Sequence, residues 1–435
     1  MSKMFAKVKF IPLVLGLMYL VTTVVLFFLG PFDWPIDNEG ILLFFVFVCM
    51  LAIALGFTVG VINPGRGRPL GSWRVFFRIG CVSSIVLLFP ATWIYTGKWP
   101  WEVFSVLGDQ GLAYREMLAV VEADESGIRG YMAILRALFA PFVYCVVPFA
   151  ILNFKRLRRL DVLLFSGHLC AVLIFSFMRG TDRETVELLV FFIATLLIAT
   201  CRLAVKHGRF PFKASSVLVS SVLLIMILCA TAVLFVDRKG SRMGGQGGFC
   251  VADGVVCSVR SSHESDLSAT ANFALEMVTG YVSQGYYGLS LALKEDFTST
   301  FGLGHSSFLM SAYGKAIDDS MYQRSYLYKV SAAGWSDKSQ WSTIYPWLAS
   351  DVSFPAVPLV IALLGFLWGC GWKSAVLLRS DAGALMFLFL SSAVLYIPAN
   401  NQLTQTLDSY FAFLFWLVVW LMQGVRKERS VVAYQ

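Results

Sequence analysis

Four ionisable residues stand together in the stretch SFMRGTDRE, namely Arg179, Asp182, Arg183 and Glu184. The stretch separates two apolar runs, so these side chains fall at the mouth of two predicted membrane helices. Guanidinium groups bind phosphate oxygens through paired hydrogen bonds, and ionisable residues in such a place tend to face a cavity. We therefore expect Arg179 and Arg183 to bind an anionic headgroup. The alternative is that the four residues only pair with one another in a short hairpin.

Arg136, in GIRGYMAILRALFAP, lies deeper in its predicted helix than Arg129. Arg129 can reach the lipid headgroups by snorkelling, whereas Arg136 is expected to face a cavity. A diphosphate in a low-dielectric pocket needs several cations around it. Arg136 is therefore predicted to bind a diphosphate together with the two arginines above. Glu187, one turn into the following helix, could be a buried partner under either interpretation.

A polar and aromatic segment, SQGYYGLSLALKEDFTSTFGLGHSSFLM, is suited to a sugar. The rings of Tyr286 and Tyr287 could stack on the C–H face of a sugar, while Gln284 and Glu295 could pair with its hydroxyls. His305 could deprotonate an acceptor hydroxyl near neutral pH. The alternative for His305 is that it caps a helix.

Two further residues are candidates for chemistry. Arg324, in MYQRSYLYK, could bind phosphate or could stack with a tyrosine at the surface. Asp351, in TIYPWLASDVSF, opens a predicted span and is either a catalytic carboxylate or an N-cap. Cys250 and Cys257 flank a polar VADGVV turn and should form a disulfide if their compartment is oxidising.

Motifs of soluble enzymes are missing from the sequence. It contains no GxxxxGK[ST], HExxH or GxSxG motif and no DxD pair. Four histidines argue against a multi-histidine metal site. We therefore expect neither a metal ion nor a cofactor.

The elements that position these residues are membrane helices. Residues of the hydrophobic types make up 57% of the 435, and only 14% are charged, a balance that requires the bilayer as solvent. Apolar runs of about twenty residues predict ten spans. They lie near 10–30, 41–62, 75–96, 131–153, 161–178, 185–203, 215–236, 354–372, 382–398 and 407–424.

Basic residues cluster at the N-terminus, in every second loop and at the C-terminus, which predicts that both ends are cytoplasmic. The net charge of +8 is explained by these clusters, so no nucleic-acid partner is expected. Residues 1–236 form a first unit of seven helices with a loop at about 97–130, which contains a helix on the membrane surface. Residues 237–353 form a large non-cytoplasmic loop with amphipathic or re-entrant helices, and residues 354–435 contain the last three spans.

At these segments the sequence resembles the O-antigen polymerase (Wzy-type) family of bacterial inner membranes. The likeness lies in the many helices with one large periplasmic loop, Arg179–Gly180 followed by Arg183, and the stretches YVSQGYYGLSLAL, FGLGHSS and WSTIYPWLASDVSF. It implies an all-α, polytopic, GT-C-like fold. It also implies metal-independent transfer of a glycan from undecaprenyl diphosphate to another lipid-linked repeat unit, in contact with membrane lipids, a flippase and a chain-length regulator.

That chemistry predicts roles for the residues above. Arg136, Arg179 and Arg183 would hold the diphosphate, and His305 or a nearby carboxylate would activate the acceptor hydroxyl. Two rival functions remain open. An O-antigen ligase would transfer the glycan to lipid A core, and a flippase or exporter would line its path with polar residues deep within several helices.

Overall fold

A computed structural model shows the chain as a bundle of α-helices. It describes residues 3–122, 127–210, 250–251, 256–257, 266–337 and 339–424, with the single positions 226, 233 and 236. The first ten helices are α1 (Lys3–Val8), α2 (Ile11–Leu29), α3 (Glu39–Ile62), α4 (Trp73–Thr96), α5 (Val103–Val106), α6 (Gln110–Glu122), α7 (Ile128–Val143), α8 (Val146–Leu152), α9 (Arg159–Met178) and α10 (Arg183–His207).

The remaining helices of the described residues are α11 (Asp266–Ala292), α12 (Ser307–Ala316), α13 (Tyr326–Ala332), α14 (Ile344–Val352), α15 (Val357–Val376), α16 (Asp381–Tyr396) and α17 (Leu407–Met422). Short 3-10 helices cover Pro100–Glu102, Phe154–Arg156, Asp319–Arg324 and Phe354–Ala356.

Among the described residues, seven helical segments are long and apolar enough to cross a bilayer, so the protein is a multi-pass membrane protein. They are Lys3–Leu29, Glu39–Ile62, Trp73–Thr96, Ile128–Leu152, Arg159–Met178, Arg183–His207 and Phe354–Val376. They match seven of the ten predicted spans. The predicted spans at 382–398 and 407–424 correspond to the shorter helices α16 and α17, of 16 residues each, and the one at 215–236 falls largely outside the described residues. The count of ten therefore stays a prediction.

The centre of the bundle is a close crossing of α3 and α15. Gly56 and Gly60 on α3 lie against the backbone of α15, while Gly365 and Gly369 on α15 lie against the backbone of α3. A Cβ atom added to Gly56 would stand 2.0 Å from the carbonyl oxygen of Ala362. Paired small residues four positions apart let two membrane helices approach closely. Any larger side chain at these positions would force the two helices apart.

One end of the bundle gathers the candidate residues, and we call it the loop end. There α9 ends, α10 and α17 begin, and α12 to α14 lie. The turn between α9 and α10 contains Gly180 at φ +58, a value that favours glycine. A Cβ atom on Gly180 would lie 2.6 Å from the carbonyl oxygen of Gln110, so the turn packs tightly on α6.

The two long loops contain helices where the sequence predicts them. In the first, α6 covers most of the predicted surface helix. In the second, α11 is helical over 27 residues without being apolar enough to count as a span. It packs beside α2, where the hydroxyls of Thr23 and Tyr286 lie 2.9 Å apart.

Two short strands, β1 (Cys250–Val251) and β2 (Val256–Cys257), pair antiparallel in the large loop. Their register sets Cys250 directly opposite Cys257. Opposed residues of an antiparallel pair have Cα atoms about 4.5–5.5 Å apart, which suits a disulfide. The disulfide itself stays a prediction.

Candidate functional site

A cavity of about 150 Å³ lies between α4, α7, α8, α9, α10 and α17 and contains both polar and apolar surface. Its charged lining residues lie on α7, α10 and α17, and they are Arg136, Arg183, Glu184, Glu187 and Asp408. Below them the walls are mainly apolar side chains such as Leu88, Val147, Ala171 and Leu188. The cavity therefore has a charged end, with two arginines and three carboxylates, and an apolar remainder.

Two of the predicted arginines converge on one carboxylate in this cavity. Arg136 Nη2 lies 3.5 Å from Asp408 Oδ2, and Arg183 Nη2 lies 3.5 Å from Asp408 Oδ1. Arg183 also donates a hydrogen bond of 2.6 Å to Thr406. Its Nε atom is buried and has no hydrogen-bond acceptor among the described residues. Glu187 Oε1, at 3.6 Å, lies just beyond hydrogen-bond distance of this atom.

Arg179 lies beside the cavity and does not line it. Its Nη1 atom is 2.5 Å from Glu184 Oε1. The guanidinium also stands 5.0 Å from the ring centroid of Phe175 and 5.5 Å from that of Tyr95. The same Phe175 ring has Arg136 at 4.5 Å. The alternative of mutual pairing therefore applies to Arg179 and Glu184.

Glu187 occupies the predicted place of a buried partner. Its Oε1 atom lies 3.6 Å from Arg183 Nε and accepts a hydrogen bond of 3.2 Å from Gln402. Its Oε2 atom accepts one of 3.1 Å from the Tyr144 hydroxyl. Two neutral donors and one more distant cation thus hold this carboxylate.

The whole cluster is balanced in charge. It contains three arginines and three carboxylates, namely Arg136, Arg179, Arg183, Glu184, Glu187 and Asp408. A bound anion would upset this balance among side chains that are 12–26% exposed, where unbalanced charge is costly.

A second group of polar residues surrounds His305, also at the loop end. Asp351 Oδ2 lies 3.0 Å from His305 Nδ1 and accepts a hydrogen bond of 3.0 Å from the His305 backbone N–H. Its Oδ1 atom accepts hydrogen bonds from the Gly304 N–H at 2.8 Å and from the Thr300 hydroxyl at 2.5 Å. The other imidazole nitrogen, Nε2, lies 2.9 Å from the Tyr410 hydroxyl.

The electrostatics of Asp351 follow from these contacts. Burial by itself would raise the pKa of the Asp351 carboxyl, but hydrogen bonds from His305, Thr300 and the Gly304 N–H outweigh burial and lower this pKa. An ionised Asp351 orients the imidazole, because it accepts the proton of Nδ1. The remaining nitrogen, Nε2, then has its lone pair toward Tyr410. Nε2 is the atom of His305 that can accept a proton.

The structure corrects the capping alternatives at both residues. The helix after His305 begins with Ser306 as its N-cap, whose side chain accepts from the Leu309 N–H. Asp351 lies in the last turn of α14, and the following span is entered through a 3-10 helix. Asp351 therefore does not open that span and is not its N-cap. Instead, it holds the turn that carries His305.

The segment before α17 connects the two groups. The His305 carbonyl oxygen accepts hydrogen bonds from Asn401 at 2.7 Å and from Thr404 at 2.6 Å, whereas Gln402 reaches Glu187. On α17, Asp408 and Tyr410 are two residues apart, which places them about 200° apart around the helix. The cavity and the His305 group thus lie on different sides of the first turn of α17.

The other predicted residues lie elsewhere. Arg324 stacks on Phe301, with its guanidinium 5.6 Å from the ring centroid, rather than on a tyrosine. It therefore lies beside the turn of His305. Glu295, half-buried, follows the end of α11.

The predicted sugar platform is packed inside the protein. Tyr286 is 2% exposed and Gln284 is 4% exposed, while Tyr287 packs against Trp34 and Trp335. Aromatic side chains in a polar segment suit a sugar site and a protein core equally well, and here they are part of the core. These three side chains have no free surface for a sugar.

Four important residues of the site were not predicted. They are Tyr144, Gln402, Asp408 and Tyr410. The sequence held one signal for them, because Asp408 is an ionisable residue at the edge of a predicted span, and such residues are rare without a function. Tyr144 and Tyr410 carry no comparable signal.

Fold and cavity together define a multi-pass membrane protein with an amphipathic cavity at one end of its bundle. No protein-family model, curated protein or solved structure matches the chain.

Proposed function

We propose that this protein joins oligosaccharide repeat units linked to undecaprenyl diphosphate into a surface polysaccharide. The observation that carries the proposal is the cavity in which Arg136 and Arg183 converge above apolar walls. A lipid diphosphate has the same order of parts, an anionic group followed by an apolar chain. Arginines suit its phosphate oxygens because their planar groups donate several hydrogen bonds.

In the proposed reaction, Arg136 and Arg183 hold the diphosphate of the donor and stabilise the charge that grows on it as it leaves. The bond between the anomeric carbon and the phosphate oxygen breaks, and a bond from the acceptor oxygen to that carbon forms. The first turn of α17 separates the cavity from His305, so the acceptor proton passes through one bound water to Nε2 of His305, which Asp351 orients. The Tyr410 hydroxyl, 2.9 Å from Nε2, stands where that water would bind. No metal ion takes part in this proposal.

The setting of the reaction belongs to the same proposal. Both termini are cytoplasmic, the loop end faces the periplasm, and the membrane is the bacterial inner membrane. The distribution of basic residues supports this orientation. A reporter enzyme that functions only in the cytoplasm should be active when it is fused after Gln435. One that functions only in the periplasm should be inactive at the same position.

Two rival functions make different demands. A flippase needs a polar path, whereas the cavity has mainly apolar walls below its charged residues, which supports an enzyme. A ligase would use the same groups and differs in its acceptor. Purified protein supplied only with lipid-linked repeat units should produce a ladder of chain lengths if it is a polymerase and no ladder if it is a ligase.

The decisive variant is Arg183→Ala, because Arg183 lines the cavity and Arg179 does not. Loss of a group that stabilises developing charge costs about 10²–10³ in rate, so the ladder should disappear. Arg115→Ala is the matched control, since Arg115 is an exposed arginine on α6, and its ladder should be normal. An undiminished ladder from Arg183→Ala would refute the proposed function.

A further inference from the structure

Glu187 faces the charged part of the cavity together with several other ionisable groups. Arg183 and Glu184 stand on its own helix. Five more groups come from neighbouring segments, namely Arg136 from α7, Tyr144 from the α7–α8 junction, His168 from α9, Tyr396 from α16 and Asp408 from α17. Among the residues that the structure describes, its single ion pair is to Arg183 and measures 3.6 Å. The other two carboxylates of the cluster are held more strongly by cations.

The three carboxylates differ in how much of their stabilisation by cations they would lose when an anion binds. Glu184 has Arg179 at 2.5 Å, outside the cavity, and Asp408 has two arginines and the hydroxyl of Thr406. Glu187 is paired with Arg183 alone in the described part of the chain. A phosphate oxygen that binds Arg183 therefore draws away the one cation that balances Glu187.

From this arrangement we infer that Glu187 takes up one proton from solvent when a diphosphate binds in the cavity. This inference rests on the proposed function, because it assumes a diphosphate ligand. A cluster of three positive and three negative groups cannot accept a dianion in a low-dielectric site without compensation. A proton on Glu187 restores part of the balance and removes the repulsion between its carboxylate and the phosphate.

The hydrogen-bond partners of Glu187 suit both protonation states. When Glu187 is ionised, the Tyr144 hydroxyl donates to Oε2 and the Gln402 amide donates to Oε1. When Oε2 carries a proton, it can donate to the Tyr144 oxygen, while Oε1 still accepts from Gln402. The hydrogen of Tyr144 is then free for a phosphate oxygen, and Tyr144 also lines the cavity. No buried polar group loses its partner in the exchange.

Calorimetry on the purified full-length protein in detergent tests this inference, with farnesyl diphosphate as the probe. Titrations in two buffers of different ionisation enthalpy give the number of protons taken up. We expect about one proton for the wild type above neutral pH. Its affinity should then fall about tenfold for each unit that the pH rises, because protons and ligand bind together. Glu187→Gln should bind with at least one-half proton less and with a weaker pH dependence.

Glu39→Gln is the control, since Glu39 is exposed at the start of α3, and it should behave as the wild type. Comparison between variants also cancels the titration of the ligand itself. Binding to the wild type without proton uptake, or equal uptake by wild type and Glu187→Gln, overturns this inference alone. Absence of binding to the wild type overturns the diphosphate site and the proposed function with it. If Glu187→Gln does not fold, Glu187→Ala serves for the same comparison.

Discussion

Arg183 on α10 and Asp408 on α17 are 225 residues apart in the chain, yet Nη2 of the arginine lies 3.5 Å from Oδ1 of the aspartate. Arg136 on α7 reaches the other oxygen of the same carboxylate at the same distance. One carboxylate therefore holds two guanidinium groups from different helices side by side. This arrangement joins three helices at the loop end.

Asp408→Asn should destabilise the protein, because two guanidinium groups lose the charge that holds them together. Removal of one partner of a fully buried pair costs about 3–5 kcal/mol. Here the Arg136 and Asp408 side chains are 24% and 21% exposed, so we expect about 2 kcal/mol. Thermal unfolding in detergent measures the change. Asp33→Asn, at an exposed position, should unfold as the wild type, and an equal midpoint for Asp408→Asn would contradict the role of Asp408.

His305→Gln should abolish transfer without weakening the binding of the diphosphate. Loss of a general base lowers the rate by about 10²–10⁴, while the cavity lies on the other side of α17. Rates of chain extension and the affinity for farnesyl diphosphate separate the two effects. Tyr410→Phe removes only the hydroxyl bonded to Nε2 and should keep most of the activity. A fully inactive Tyr410→Phe variant would show that Tyr410 itself carries the proton.

Asp351 should contribute stability that is lost in acid. Its pKa is lower in the folded protein than in the unfolded chain, where the value is about 3.9. The contribution is therefore complete above the unfolded pKa and disappears as the pH falls through the lowered pKa of the folded state. Melting temperatures across an acidic pH series should decline more steeply for the wild type than for Asp351→Asn. Parallel curves would argue against an ionised Asp351.

Cys250 and Cys257 should form a disulfide, because their strands set them opposite each other. Alkylation before and after reduction, followed by mass spectrometry of peptides, should label both residues only in the reduced sample. Both samples are unfolded in a denaturing detergent before alkylation, and Cys170 then provides an internal control, since it is a free thiol and should react in both. Labelling of Cys250 and Cys257 without reductant would disprove the bond.

Much of the helix pattern follows from the sequence, since an apolar run of twenty residues in a bilayer must satisfy its own backbone hydrogen bonds. The same reasoning located Arg136 and Arg183 in a cavity and named Glu187 as a buried partner. It misplaced the sugar platform, because Tyr286 and Tyr287 have the same chemistry in a core as at a sugar site. It also missed Asp408 as the shared partner of two arginines.

The sequence by itself determined that this is a multi-pass helical membrane protein with cationic side chains at a helix mouth. The hydrophobicity of a run of consecutive residues is a local property, so it predicts a membrane span without knowledge of the fold. Only the tertiary structure decided that Arg136 and Arg183 share a carboxylate while Arg179 stands aside, and that three carboxylates balance the three arginines. Ion pairs depend on distances of a few ångströms between residues far apart in the chain, and only the packing of the helices sets those distances.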